Sequence, residues 1–452
     1  MGNGPGGSSA VYGAALERFS RADFAPVSSD ELDAGLLPRE WPIPYDEFAP
    51  WYAKAESLLR VCGGPDPTCP EASGGVRPPP ALSSIGREFF ALFQAAGLSP
   101  YRLHVGIDYK PGCVECLGVI CPRDCKSDGA SRALKPALKD HGARLLTRVT
   151  VDRVELAPAG APAVIAQGDA GVLRLRARVV LLAAGALSTP GILLRSRSER
   201  WPQGLGNDHG LVGRGLMFHV LQYFAAWPKG RHKPGGFAKE LSCRGLSANE
   251  SENLGTLQSL ARSVAVSQIW EHLREVAPRF IHARSPIVSL PLLMVSAVAA
   301  NVFRGAALFA LQLEDFAHKE NRVEPDPASP SGIRVTYAFS DELVGRIRTV
   351  RRRLSDRLAS ARPFFLTRER TLNLGHPMGT CRFGKSPASS VLTPENMVWD
   401  APGIYVVDAS FMPSGASVNP SLTIAANALR VADLLAARLS RPSITVEAPE
   451  AV

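Results

Sequence analysis

A chain of 452 residues, 45% hydrophobic and 21% charged, has the make-up of an ordinary soluble globular protein, with room for two or three domains or one large α/β body with an inserted part. Its net charge of +9 is modest for that length; with no long block of like charges and no alternation of aromatic and basic residues, nucleic acid is not an expected partner. The opening MGNGPGGSSAVYG lacks the basic and apolar regions of a secretory signal, so the cytoplasm is the expected compartment.

Gly2–Gly7 formally satisfies G-x-G-x-x-G, but that dinucleotide fingerprint needs a strand before it, and here only Met1 precedes. Gly6–Ser9 still reads as a loop whose backbone can approach a ligand closely, with hydroxyls available to phosphate. From Trp41 the spacing predicts a helix with Phe48, Trp51, Tyr52, Ala55, Leu58 and Leu59 on one packing face. Cys62–Ser84 is rich in Gly and Pro and is expected to be an exposed connector or lid-like loop. Eight cysteines in so long a chain do not make a disulfide scaffold. Four of them, Cys113, Cys116, Cys121 and Cys125, are crowded enough to hold zinc or an iron–sulfur cluster, although the spacing is not that of ferredoxins.

Arg148–Leu156 and Val172–Arg178 alternate as strands of a hairpin-like or three-stranded piece. Val179–Ala183 is a continuous apolar run, expected to be a strand buried on both faces; Gly185 then turns the chain, Thr189 caps and Pro190 opens a helix. His209 and His219 read as surface or loop polarity. Between Leu221 and Arg370 lie further strand patterns, FALQLEDFAHKENRV and GIRVTYAFSDE, and a helix whose VRRRL run reads as a solvated face. The apolar stretch Pro286–Phe303 is broken or weakened as a single lipid-facing helix by Pro286, Pro291 and Asn301. It reads as a substrate-pocket wall or as a surface in peripheral contact with a membrane.

Thr371–Leu435 holds His376 in a loop of mostly apolar and small residues, a strand at Ile404–Val407, and a helix whose apolar residues recur at Leu422, Ala425, Ala426, Leu429, Ala432 and Leu435. Asn419 is the expected N-cap and Pro420 the first helical residue. Such a helix start, free N–H groups after a Gly-containing loop, is a place to hold negative charge. His376 and Asn419 are far apart in the sequence, and spacing cannot prove that they meet.

GHPMGTCRFG followed by IYVVDASFMPSGASVNPSLTIAANALRVADLL resembles the C-terminal signature of the glucose–methanol–choline (GMC) flavoenzymes, which use FAD to oxidise alcohols. AAGALSTPGILLRS is similar to the family's second signature and GGSSAVYGAALERF to its second flavin-contacting segment. The resemblance implies an α/β (α+β) fold: a Rossmann-like FAD-binding domain from 1–40, 110–215 and 371–440, a lid or connector over 41–109, an antiparallel-sheet substrate domain over 216–370, and a disordered tail over 441–452. It implies FAD contacts from Gly6, Gly7, Ser8, Ser9, Val151, Ala184, Gly185, Asp408, Ala409, Pro420 and Leu422, with His376 as the base on the alcohol and Asn419 orienting its oxygen. The family's N-terminal βαβ unit has no counterpart, so the flavin domain reads as incomplete. A reading frame begun at an internal Met is the expected cause; a partner chain supplying the unit, or weakened FAD binding, are the alternatives. The expected substrate is an apolar alcohol, and an electron-accepting partner is compatible with the family. The rival readings are a truncated non-catalytic homologue, or a redox subunit with a metal or iron–sulfur site at Cys113–Cys125.

Overall fold

The largest sheet draws its strands from far-apart stretches of the chain. The computed structural model describes all residues except 1, 3, 26–34, 71–74, 157–160, 231, 233–237, 245, 247–254, 262–285, 304, 330 and 441–452; the expected tail therefore lies outside the described residues. In chain order the strands are β1 (Ser99–Arg102), β2 (Thr150–Glu155), β3 (Ala163–Gly168), β4 (Gly171–Arg176), β5 (Val180–Leu182), β6 (Met217–Ala226) and β7 (Leu241–Arg244). They continue with β8 (Thr256–Ala261), β9 (Ala307–Leu313), β10 (Arg322–Pro325), β11 (Ile333–Thr336), β12 (Phe364–Phe365), β13 (Leu372–Met378) and β14 (Ile404–Val406). The helices that matter here are α1 (Tyr45–Leu58), α2 (Ser84–Ala95), α3 (Lys135–Asp140), α4 (Thr189–Arg195), α5 (Pro286–Val302), α6 (Asp341–Arg357) and α7 (Ser421–Leu439).

The large sheet runs β1-β7-β8-β9-β6-β12, with β13 also on β6, and every pairing is antiparallel. Alternation sorts its side chains. Val220, Phe224, Leu257, Phe309 and Leu311 bury against Phe89 and Phe93 of α2 and Leu343, Ile347, Val350 and Leu354 of α6. Each such Leu or Phe contributes roughly 1.5–3 kcal/mol by leaving water. The intervening positions, Leu221, Tyr223, Gln258, Leu260, Ala310 and Gln312, line a cavity on the opposite face. Both helices start where a serine hydroxyl accepts an orphan backbone N–H, Ser83 from Gly86 and Ser340 from Leu343. The basic run of α6 is not wholly solvated: Arg351 donates to Gln222 Oε1 at 2.9 Å and stacks on Phe365.

The second core holds α1 against α7, tied by the Tyr52 and Thr423 hydroxyls at 2.8 Å. Phe48, Tyr52 and Ala55 are buried in it as the helical spacing predicted, whereas Leu58 is exposed. Strands β2-β3-β4 form the expected three-stranded piece. Strand β5 pairs in parallel with β14, and α4 follows it. Its expected burial on both faces is corrected: Val180 and Leu182 are buried, but Leu181 and Ala183 are exposed, because among the described residues no element covers that side of the pair.

Two further expectations change. Cys62–Ser84 does not begin as an exposed connector, since Cys62 and Cys69 are buried and Cys62 N donates to Val105 O. The stretch at Pro286 is one continuous helix, α5, with Pro286 in its first position, where a missing N–H costs nothing, and Pro291 and Asn301 inside it. Leu293, Met294, Val295, Val298 and Val302 on it are exposed. No described helix is long and apolar enough to cross a membrane.

Candidate active site

A cavity of about 410 Å³ lies between the polar face of the large sheet and the segment from Ser8 to Ala15, with His376, Asn419 and Ser421 on its wall. A hollow of about 450 Å³ between α1 and α7, lined by Trp51, Arg430, Asp433, Leu434, Ala437 and Arg438, contains none of the residues singled out for chemistry. The first cavity is therefore the candidate site. Among the described residues, none of α5 from Leu293 on is on its wall; the side chains of Ile287–Leu292, the other part of the expected apolar lining, lie outside the described residues.

His376 reaches the cavity because β13 leaves its register: Asn373 pairs with His219 and Met378 with Met217, so the residues between them bulge out of the ladder. Its Nδ1 stands 2.9 Å from Nδ1 of His219, a residue buried within β6. His219 Nε2 lies 3.1 Å from both the Gly415 and Ala416 carbonyls and must donate to them. Burial pushes the His219 imidazole down to about 4, so at neutral pH it carries one proton, on Nε2. Its Nδ1 is then an acceptor, and His376 must donate from Nδ1. That leaves Nε2 of His376 with a free lone pair. The Asn373 amide nitrogen, 3.1 Å from the same Nδ1, is a contact and not a second bond, because a protonated Nδ1 has no lone pair to offer. His376 itself is held well below the usual imidazole range by burial, with His219 and the charge of Lys239 also opposing its protonation.

Asn419, 43 residues away in sequence, has its Nδ2 3.5 Å from His376 Nε2. That is too long for a good hydrogen bond, and it leaves both groups ready for a third partner. The expected N-cap role is corrected: α7 begins at Ser421 with Pro420 as its cap residue, and no side chain caps it. Asn419 lies one residue outside, its Oδ1 accepting from Gln258 Nε2 at 2.9 Å. Gln258 Nε2 also donates to Glu17, which in turn accepts from Tyr101. A buried chain Tyr101–Glu17–Gln258 thereby fixes which way the Asn419 amide faces.

Of the other residues singled out, Ser8 is on the cavity wall. Gly6 and Gly7 precede it in left-handed conformations, φ 85° and 53°, and Ser9 Oγ donates to Gly6 O at 2.6 Å and accepts from Gly129 N at 3.0 Å. Pro420 and Leu422 open α7 beside the cavity, Leu422 with its side chain in the core. Val151, Ala184, Gly185, Asp408 and Ala409 are not on this wall; they cluster around the parallel pair and the three-stranded sheet. Asp408 accepts from Gly185 N, Thr189 Oγ1, Ser410 N and Ser410 Oγ. Thr189 therefore does not cap α4 as expected; its hydroxyl is taken by Asp408 at 2.5 Å. For the cysteines at 113–125, no three or more His, Cys, Asp or Glu side chains among the described residues are grouped to hold a metal ion. There, burial pushes the Cys121 thiol up, but the backbone N–H groups of Lys126, Arg123 and Cys125 outweigh it and bring it down to about 7.

Sequence models of one family, GMC oxidoreductase, match residues 90–221 and 318–428. The chain belongs to the GMC oxidoreductase family. This GMC oxidoreductase is 28% identical to the 6'''-hydroxyparomomycin C oxidase of Streptomyces lividus, over 96% of this chain and 79% of the relative. It is 26% identical to the 2-methyl-1,2-propanediol dehydrogenase of Mycolicibacterium austroafricanum, over 97% and 81%. Its fold is that of a fungal aryl-alcohol oxidase, with a TM-score of 0.61 at 16% identity over 96% of this chain and 86% of that one. Pyridoxine 4-oxidase from Mesorbium loti matches at 0.60 and 18% identity, over 94% and 82%.

The GMC signatures led to His376 and Asn419 but not to Lys239, Gln258, Glu17 or Asn373, nor to a place for His219 beside His376. One signal was available: Gln312 in ALFALQL interrupts an otherwise apolar strand and Gln258 stands between Leu257 and Ser259 in TLQSLA, and a polar residue in a buried strand needs a partner.

Proposed function

We propose that this oxidoreductase oxidises the CH–OH group of an alcohol with FAD, with His376 as the base. The observation that carries the reading is the lone pair on His376 Nε2, fixed by the His219 tautomer and facing Asn419 in the cavity. The names of the oxidase and dehydrogenase relatives support the reaction class.

The residues present fit FAD. Gly6 and Gly7 give a close-approach turn, and a Cβ on Gly7 would meet nothing within 4 Å, so its open side can be covered by a ligand. The N-terminus of the 19-residue α7 has no side-chain cap and opens at Ser421 onto the cavity, where its N–H groups and dipole favour an electron-rich ring edge. Gly6, Gly7, Ser8, Ser9, Pro420 and the N–H groups of Ser421 and Leu422 would hold it. Asp408 serves at one remove, since its carboxylate is filled by the chain's own donors and shapes the turns that carry Gly185 and Ala409. Bound FAD supplies the acceptor for the hydride that leaves the carbinol carbon.

The chain's own residues do the rest. Asn419 Nδ2 donates to the alcohol oxygen and aims its hydroxyl at His376 Nε2. That nitrogen takes the hydroxyl proton, and the oxygen, now richer in charge, is steadied by Asn419 and the start of α7. The walls of Leu221, Leu260 and Ala310 keep the carbon side of the substrate dry.

The test is His376→Ala in the flavin-loaded enzyme. Turnover of alcohols is expected to fall by about 10²–10⁴-fold, the contribution of a positioned base, with the flavin still bound. Turnover equal to that of the parent would remove His376 from the mechanism.

A further inference from the structure

Lys239 is more than nine-tenths buried, at 7% exposure, and lies on the wall of the candidate site with His376 and Asn419. A Cβ on Gly13 would lie 3.5 Å from its Cε and 3.8 Å from its Nζ, so the ammonium rests over the backbone of the Gly6–Gly13 segment. Among the described residues this Nζ makes no hydrogen bond and no ion pair. The two acids near enough to act on it, Glu115 and Glu17, are both engaged. Glu115 accepts from Tyr109 and from the backbone N–H groups of Ala238 and Lys239. Glu17 accepts from Tyr101 and Gln258.

A buried ammonium with three unused donors is expensive unless something meets it, because a desolvated charge costs several kcal/mol without a partner. Among the described residues the cavity wall offers none: they include this cation and no Asp or Glu. A neutral hydroxyl would satisfy one donor and leave the charge unopposed. An anionic oxygen satisfies both.

We propose that Lys239 is the specificity-determining residue of the cavity and that the substrate is an alcohol bearing a carboxylate, which the Lys239 ammonium binds while His376 and Asn419 hold the hydroxyl. This rests on the alcohol-oxidising reading and names its substrate class; it replaces the apolar alcohol expected from the sequence. The lysine is tuned for the task. Burial brings it down to about 8, with Glu115 and Glu17 opposing that fall, so it is still largely charged at neutral pH.

Two measurements on the flavin-loaded enzyme decide it. The first compares kcat/KM for matched pairs, 4-(hydroxymethyl)benzoate against benzyl alcohol and 6-hydroxyhexanoate against 1-hexanol, in the parent, Lys239→Met and Lys239→Arg. The parent is expected to prefer the acid of each pair by about 10-fold or more. Lys239→Met is expected to lower that preference by about 30-fold or more, chiefly through KM, and Lys239→Arg to restore most of it. The second is calorimetric binding of benzoate and benzamide, which needs no turnover. Benzoate is expected to bind the parent more tightly than benzamide, to lose that advantage in Lys239→Met, and to weaken as the pH rises past about 8. The groups acting on Lys239 from the elements packed against it are Glu115, Glu17 and His376, so Glu17→Gln is expected to move that midpoint down. If no alcohol is turned over but benzoate behaves as described, the alcohol-oxidising reading falls and the carboxylate site stands. Equal binding of benzoate and benzamide to the parent overturns the proposal. So does a Lys239→Met enzyme that binds benzoate as well as the parent and shows only a changed flavin potential.

Discussion

The Nδ1 atoms of His219 and His376 stand 2.9 Å apart with one proton between them. Two backbone carbonyls, Gly415 and Ala416, decide who owns it. By taking the Nε2 proton of His219 they make its Nδ1 an acceptor, and by that route they set His376 as the tautomer whose Nε2 is free.

With His376 as the proposed base, His219 is its positioning residue. His219→Phe is expected to lower kcat by about 10-fold or more with little change in KM, since the base stays in place but spends part of its time as the wrong tautomer. His219→Gln, whose amide oxygen can accept from His376 Nδ1, should recover part of the loss. Steady-state kinetics on the two variants checks this; equal kcat in both would mean that His219 only fills space.

Gln258 holds the Asn419 amide in the direction that the proposed hydrogen bond to the alcohol requires. Gln258→Leu and Asn419→Ala are therefore expected to be non-additive. In a double-mutant cycle on kcat/KM the coupling should be about 1 kcal/mol, within the usual range for residues sharing a hydrogen bond. Strict additivity would argue against the chain.

The pH profile should reflect the burial of the proposed base. Because His376 lies well below the ordinary imidazole range, kcat/KM for a neutral alcohol is expected to stay level as the pH falls through 6.5 and to drop only in more acid solution. An inflection near 6.5 in the rate profile would instead indicate a solvated imidazole.

Stability has its own signature. The unfolded chain takes a proton at His219 near 6.5, and the folded chain refuses it until about 4. The contribution of His219 is then complete above about 6.5 and is lost as the pH falls toward 4, by up to about 3 kcal/mol. Denaturant melts of parent and His219→Phe at pH 7 and pH 4.5 should show the acid loss to be smaller in the variant.

Asp408→Ala leaves four donors without an acceptor at the junction of β5, α4 and the turn after β14. The expected cost is about 3 kcal/mol or more, with Asp408→Asn milder because one amide oxygen still accepts. Thermal unfolding of both variants tests it; a melting temperature unchanged in the alanine variant would mean that water replaces the carboxylate.

Local patterns carried much of this in the sequence itself. The period of 3.6 around Phe48 and around Leu422 marked α1 and α7, alternation at Arg148–Leu156 marked β2, and the wording around His376 and Asn419 marked the family and the pair. These are short-range facts, set by steric preference and by which face of an element must leave water. Where the reading failed, at the exposed Leu181, the uncapped α7 and the continuous α5, the outcome depended on what else packs nearby.

What the sequence determined by itself was therefore the list of elements, the family and two residues of the candidate site. The tertiary structure decided which atoms they present. A four-residue passage between paired positions in β13 lifts His376 out of the sheet, and β6 puts His219 behind it. Strand β8 brings Gln258 to Asn419, and a lysine that looks unremarkable in GGFAKE ends as the one cation on the cavity wall among the described residues. The physical reason is common to all of them. The direction of a proton, and the charge state of a buried amine or imidazole, are fixed by desolvation and by partners tens to hundreds of residues away, and no local pattern encodes that.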